Sequence, residues 1–349
     1  MKKFFTTRNL YLALLLISAA ILIYFCVDDN NLLTLLDNIS ILNLAWIVIA
    51  CGLMFLSWLI DAQVVKLLTN SAYDKNYRLK DAFKVTMVGQ FFNAVTPLGV
   101  AGQPMQILSM TQQKFDTGHA ISIVVRKFII YQATLIFYLL GTMWLSYAFF
   151  IEAIPDFMTL VILGCVSQSA MILLIAFFTT KKELTLHLIS WALSTLARFK
   201  LLKAPNEKIK NIEKQMDVYI ENNRAIGENP KLTLKAFALT CLQLTALFSV
   251  SFCIYKAFNN PGIDLIDMIS GQAFVTVTGA YTPLPGGSGA MEGAVIKVFR
   301  LFFPEENVKP AMLLWRFVTY YSCIIVGVFF ASSIKKMSTK KKNVLLYNS

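Results

Sequence analysis

The chain has 349 residues, 56% of them hydrophobic and 15% charged, with a mean hydropathy of +0.60. This composition excludes an ordinary soluble globular domain and describes an all-α polytopic membrane protein. The net charge of +12 does not point to nucleic acid. The basic residues concentrate in hydrophilic loops and tails, as the positive-inside rule requires, and no nucleic-acid motif occurs.

The N-terminus places Lys2, Lys3 and Arg8 before an apolar run, like a secretory leader. The run is long, no small-x-small cleavage site follows, and Phe25 before Cys26 spoils a lipoprotein box, so 10–27 reads as an uncleaved first span. Segment 28–40 has Asp28, Asp29 and Asp37 without Lys or Arg and reads as external; 41–60 is the second span. Segment 61–84 carries Lys66, Lys75, Arg78, Lys80 and Lys84 and reads as cytoplasmic. Residues 85–113 are uncharged but broken and polar, with Gln90, Asn93, Pro97, Gly99 and Gly102, and read as a re-entrant hairpin. Spans at 128–151 and 157–180 flank an external loop with Glu152 and Asp156.

The segment 181–235 is rich in Lys and Arg and reads as cytoplasmic. Its portion 184–202 has helical apolar spacing: it is either a membrane-surface helix or part of a solvated linker. A span at 236–255 precedes a second broken segment, 268–300, with Gln272, Gly279, Pro283 and Pro285. The last span is 317–334, and the tail 335–349 carries five lysines in Lys335, Lys336, Lys340, Lys341 and Lys342. Both termini are therefore expected in the cytoplasm, although Lys297, Arg300 and Lys309 then fall at the outer side.

Two motifs echo each other: Thr96-Pro97-Leu98-Gly99 and Thr282-Pro283-Leu284-Pro285. Each sits at the tip of a broken segment flanked by spans. The expected plan is six full spans plus two re-entrant hairpins, with units 41–151 and 236–334 forming an inverted repeat around linking span 157–180. The chain 1–349 reads as a single membrane domain, since its longest hydrophilic stretch, roughly fifty residues, is short for a catalytic domain.

Ionisable and polar residues within such segments are the site candidates. Glu292 follows the second motif at a helix start, where capping alone would also explain it. Arg126 and Lys127 precede one span and Arg316 opens another; each suits either interfacial snorkelling or a phosphodiester. Tyr131 and Gln132, with Tyr320 in the second unit, stand beside these cations. Gln103 and Gln106 share a helical face, and Gly286, Gly287 and Ser288 offer backbone N–H groups to an anion. The six cysteines lie in apolar segments and form no CxxC pair, and His119 and His187 are isolated. No metal, cofactor or catalytic fingerprint is expected.

These stretches resemble a known family. Gly102-Gln103-Pro104-Met105-Gln106, Lys127-Phe128-Ile129-Ile130-Tyr131-Gln132, Pro283 to Gly293 and Trp315-Arg316-Phe317-Val318-Thr319-Tyr320-Tyr321 are similar to the transmembrane region of lysylphosphatidylglycerol synthase, the multiple peptide resistance factor, in its Firmicutes-type, stand-alone form. Many relatives carry Gly-Glu where Gly102-Gln103 stands. The resemblance implies a flippase for aminoacylated phosphatidylglycerol in the bacterial cytoplasmic membrane and resistance to cationic antimicrobial peptides. A separate cytosolic domain makes the lipid in that family; this chain is expected to lack it. The expectation is a translocase with a phospholipid substrate and no cofactor, leaning away from an enzyme. Phosphatidylglycerol lysyltransferase activity and a scaffold role for a separately encoded synthase are the rivals, and a homodimer is left open.

Overall fold

The computed structural model describes residues 42–72, 76–153, 157–198, 205–227, 229–279, 289–332 and 334. The expected first span, the second motif (with Gly286, Gly287 and Ser288) and the basic tail lie outside the described residues. Within them every regular element is helical. In chain order these are α1 (Leu44–Ala72), α2 (Leu79–Val95), α3 (Gly102–Gln112), α4 (Thr117–Leu145), α5 (Tyr147–Ala153), α6 (Phe157–Thr180), α7 (Lys182–Arg198), α8 (Pro205–Gly227), α9 (Pro230–Ala257), α10 (Leu265–Gly279), α11 (Ala290–Phe299) and α12 (Glu305–Ser332).

Five of the described helices, α1, α4, α6, α9 and α12, are long and apolar enough to cross a membrane. The chain is a multi-pass membrane protein. Most of these helices overrun the expected spans. α1 continues past Ile60 to Ala72, α4 begins at Thr117 rather than 128, and α12 begins at Glu305 rather than 317. The uncharged windows stopped at Asp61, Lys127 and Arg316, yet helices pass through all three, because each charge has a partner inside the bundle. α9 starts where sequence chemistry dictates: Asn229 accepts from the Leu232 N–H at 3.0 Å, and Pro230 occupies the first helical position.

The broken segments fold as pairs of shorter helices. α2 and α3 have 17 and 11 residues, α10 and α11 have 15 and 10. At 1.5 Å per residue these are about 15–26 Å long, against a hydrocarbon core of about 30 Å. At the first tip Thr96 leaves α2 in extended conformation, and its hydroxyl donates to Phe92 O and accepts from the Ala101 N–H. The following turn places Leu98 and Gly99 at φ 55° and 63°, the left-handed region that reverses the chain into α3.

The most extensive helix interface pairs α1 with α9, the leading spans of the two expected units. They run antiparallel. The Asn43 N–H donates to Ala257 O at 2.9 Å, Trp46 meets Phe252, and at the other end Val64, Val65 and Leu68 share an apolar cluster with Leu232 and Ala236. Across the two expected units α12 packs on α2 and α4 on α10. Tyr320 Oη donates to Ala94 O at 3.0 Å. Gly327 lets α12 approach α2 so closely that an added Cβ would sit 2.7 Å from Phe91 Cβ and 3.1 Å from Met87 O. Three apolar clusters result among the described residues, and two of them meet along α1. Along α1 the first takes Ala50, Met54 and Trp58, and the second takes Ala62 to Leu68; Asp61 falls on the seam.

The basic segment 181–235 is neither wholly a surface helix nor a loose linker. α7 carries an exposed apolar stripe of Leu184, Leu188 and Trp191, as amphipathic spacing predicts. α8 instead docks on the bundle: Gln215 Oε1 accepts from the Gly118 N–H at 2.7 Å, Tyr219 bonds Thr179 at 2.8 Å, and Asn222 bonds Ser122.

Candidate functional site

A cavity of about 400 Å³ lies among helices of both expected units. Its wall draws on α1, α2, the first tip, α3, α4, α9, α10, α11 and α12. Met54, Trp58, Val124, Phe128 and Leu247 give the wall its apolar part, beside charges, phenols and amides. An apolar cleft with a few convergent polar groups is the usual form of a small-molecule or headgroup site.

Two ion pairs order the polar part. Lys127 Nζ lies 2.6 Å from Asp61 Oδ2, joining α4 to α1, and their side chains are 14% and 4% exposed. Arg316 Nη2 lies 2.7 Å from Glu292 Oε1, joining α12 to α11, at 3% and 2% exposure. Asp61, Lys127 and Arg316 are on the cavity wall; Glu292 stands behind Arg316. The Glu292 carboxylate also accepts from the Gly289 N–H through its second oxygen, so one side chain fixes both the start of α11 and the guanidinium. Gly289, at φ 90°, holds the backbone turn that brings this N–H round. The guanidinium is flanked by the Trp315 and Tyr320 rings at 5.4 and 5.1 Å, a cation–π arrangement that leaves its hydrogen-bonding edge to anions.

The two cations stand in similar local sequences. Lys127-Phe128-Ile129-Ile130-Tyr131 and Arg316-Phe317-Val318-Thr319-Tyr320 match in register, and the cation and tyrosine, four apart, share a face in each. Lys127 is ten residues beyond the start of α4 and Arg316 eleven beyond the start of α12. Each therefore lies about 15 Å into its helix. α12 differs in passing through a π-helical turn at Phe317–Tyr321, which widens the helix where Tyr320 meets the cavity.

The structure brings Gln103, Gln106, Tyr131, Arg316 and Tyr320 together on this wall. Gln106 is buried because Gly89 on α2 leaves room for it: a Cβ there would lie 2.2 Å from Gln106 Nε2. Two other candidates sit elsewhere. Arg126 faces away from the cavity and donates to Thr233 Oγ1 at 2.7 Å and to Asn223 O, tying α4 to α9 and α8. Gln132 is buried against α6, its amide donating to Gln168 Oε1. One helical residue is a turn of about 100°, which separates Arg126 from Lys127 and Gln132 from Tyr131.

Several wall residues were not singled out from sequence. Asp61 was assigned to a cytoplasmic loop because it follows an uncharged run; the apolar spacing that continues through Ala62, Val64, Val65 and Leu68 is the signal that it lies within a span. Lys127 was named together with Arg126, and of the two it is Lys127 that lines the cavity. Asn93 and Gln243 also line the cavity, and Asn93 Oδ1 and Gln243 Oε1 are buried without a hydrogen-bond partner among the described residues. Buried acceptors of this kind favour a ligand that carries donors.

The sequence matches the family described as the lysylphosphatidylglycerol synthase TM region over residues 11–327, and the chain belongs to that family. It is 22% identical to a UPF0104 membrane protein of Archaeoglobus fulgidus over 82% of this chain and 85% of that relative. It is 25% identical to a phosphatidylglycerol lysyltransferase of Staphylococcus aureus over 54% of this chain. That second match spans 22% of the lysyltransferase, about a fifth of its length.

Proposed function

We propose that this protein is a lipid translocase that moves an aminoacylated phosphatidylglycerol, or another lipid-linked substrate, across the bacterial cytoplasmic membrane, and so contributes to resistance to cationic antimicrobial peptides. The observation that carries this reading is the convergence of Lys127 and Arg316, from matching positions in two units, on one cavity deep inside the bundle. Ionisable groups at such depth are costly and mark substrate paths. The antiparallel pairing of α1 with α9 and the shortness of the four hairpin helices support an inverted repeat with two re-entrant hairpins.

In this mechanism the headgroup enters between the hairpins while the acyl chains stay in lipid. Arg316 and Lys127 hold the phosphate, Arg316 with its planar fork. Asp61 takes an amino group, since the Glu292 carboxylate is already engaged by Arg316 and the Gly289 N–H. Gln103, Gln106, Tyr131 and Tyr320 bond ester and hydroxyl oxygens. Rocking of one unit against the other opens the cavity to each face in turn, and a separately encoded synthase supplies the lipid. Both termini are cytoplasmic. The lysyltransferase alternative rests on the family's name and on one relative, of which the match covers 22%.

The test is leaflet exchange in proteoliposomes, using fluorescent phosphatidylglycerol and its lysyl and alanyl esters with a membrane-impermeant quencher. Wild-type protein accelerates exchange of at least one of these, and Lys127→Met and Arg316→Ala do not. Exchange no faster than in protein-free vesicles for every lipid refutes the proposal.

A further inference from the structure

We propose that the Lys127–Asp61 pair links headgroup binding to proton uptake: a purely anionic phospholipid enters the cavity together with one proton, whereas an amine-bearing phospholipid enters without one. This inference rests on the headgroup site proposed above and adds the ion that accompanies the substrate.

The argument starts from the charges on the wall. Among the described residues Asp61 is the carboxylate that lines the cavity, and its partner is the Lys127 ammonium at 2.6 Å. The pair is accessible from the cavity through Lys127, whose side chain is the more exposed of the two. An anionic phosphate that draws Lys127 to itself leaves Asp61 as a buried carboxylate with no cation. An unpaired buried charge is strongly unfavourable, and such a group neutralises instead. Asp61 then binds one proton from the aqueous phase. No other bond forms or breaks, Lys127 keeps its three protons, and the phosphate keeps its charge. A headgroup with its own ammonium needs no proton, because phosphate pairs with Lys127 and ammonium pairs with Asp61.

The neighbouring groups do not substitute for this exchange. On α4, Tyr131 lies one turn from Lys127, and α12 contributes Arg316, Tyr320 and Cys323. Tyrosine and cysteine titrate well above neutral pH. Arg316 is bound to Glu292 of α11, with both side chains nearly sealed, so its charge is already balanced. The helices α2, α9 and α10 present amides and Thr276, and α8, which also touches α1, adds no described residue to the wall.

The experiment uses the full chain in weakly buffered detergent at pH 7, with dioleoyl phosphatidylglycerol and dioleoyl phosphatidylethanolamine as probes. Binding is followed by native mass spectrometry and proton uptake by a pH indicator. Expected are about one proton taken up per phosphatidylglycerol bound and close to none per phosphatidylethanolamine, with phosphatidylglycerol affinity falling about tenfold per pH unit above neutrality. Asp61→Asn abolishes the uptake and flattens the pH dependence, and the comparison of the two lipids on wild-type protein decides the matter even where that variant does not fold. Phosphatidylglycerol binding without proton uptake, or equal uptake with both lipids, overturns the inference and leaves the translocase reading standing. Failure of both lipids to bind overturns the headgroup site and the inference with it.

Discussion

Replacing Glu292 by Gln tests whether charge holds α11 to α12. The Arg316 and Glu292 side chains are 3% and 2% exposed, with 2.7 Å between Nη2 and Oε1. The substitution keeps the shape of the side chain and still offers an amide oxygen to the Gly289 N–H, so the negative charge is what disappears. Breaking a buried pair by removing one partner costs about 3–5 kcal/mol, whereas an exposed bridge is worth about 0–1 kcal/mol. The Trp315 and Tyr320 rings already flank the guanidinium, so they offer no new compensation. The folded-to-unfolded ratio should therefore fall by about two to three and a half powers of ten. The double variant Glu292→Gln, Arg316→Gln removes both charges and should be more stable than Glu292→Gln alone, with a coupling energy of about 1–3 kcal/mol. The assay is unfolding of purified protein by sodium dodecyl sulfate in mixed micelles, followed by circular dichroism. A single-variant cost below about 1 kcal/mol, or a double-variant cost equal to the sum of the two singles, refutes the reasoning.

Other outcomes follow from the same geometry. Arg126→Ala should lower stability by about 1–2 kcal/mol through loss of its Thr233 bond and leave lipid exchange within about twofold of wild type, while Lys127→Ala, its neighbour, should abolish exchange. Leaflet assays of the two variants side by side decide this, and equal loss in both contradicts the assignment of opposite faces. Gly89→Ala and Gly102→Ala place a Cβ 2.2 Å from Gln106 Nε2 and 1.8 Å from Asn93 Oδ1; overpacking should cost about 1–3 kcal/mol in each and slow exchange, as unfolding and flux measurements will show. A green fluorescent protein fused after Ser349 should fluoresce, and alkaline phosphatase fused there should be inactive; the reverse pattern contradicts a cytoplasmic C-terminus.

The bundle was legible where burial in lipid acts on many residues at once. Long apolar runs marked α1, α4, α6, α9 and α12, and Pro and Gly marked the first tip. What escaped was any feature that depends on partners distant in sequence. A window that scores Asp61 and Lys127 separately treats each as a membrane boundary, because an isolated charge in lipid is expensive. The two lie 66 positions apart, and only the packing of α1 against α4 cancels their cost. Glu292 and Arg316 were each recognisable, yet the bond between them was not, and it moves Glu292 from the cavity wall to a place behind it. Arg126 shows the opposite case: a plausible cation by type, it is turned toward α8 and α9 by helical phase.

In the proposed mechanism the unequal burial of the two ion pairs gives them different work. Arg316 and Glu292 are nearly sealed, and Glu292 also holds the start of α11, so exchanging this pair for a ligand would loosen the hairpin itself. Lys127 is more open to the cavity, and Asp61 sits within the continuous helix α1, so that pair can open without unravelling any helix end. In the proposed mechanism Arg316, held by Glu292, is a fixed positive wall, and a headgroup exchanges partners at Lys127–Asp61 and is oriented by Arg316. A change of accessibility driven by the substrate must bind the two states unequally, and a pair that opens only when occupied supplies that difference at the junction of α1 and α4.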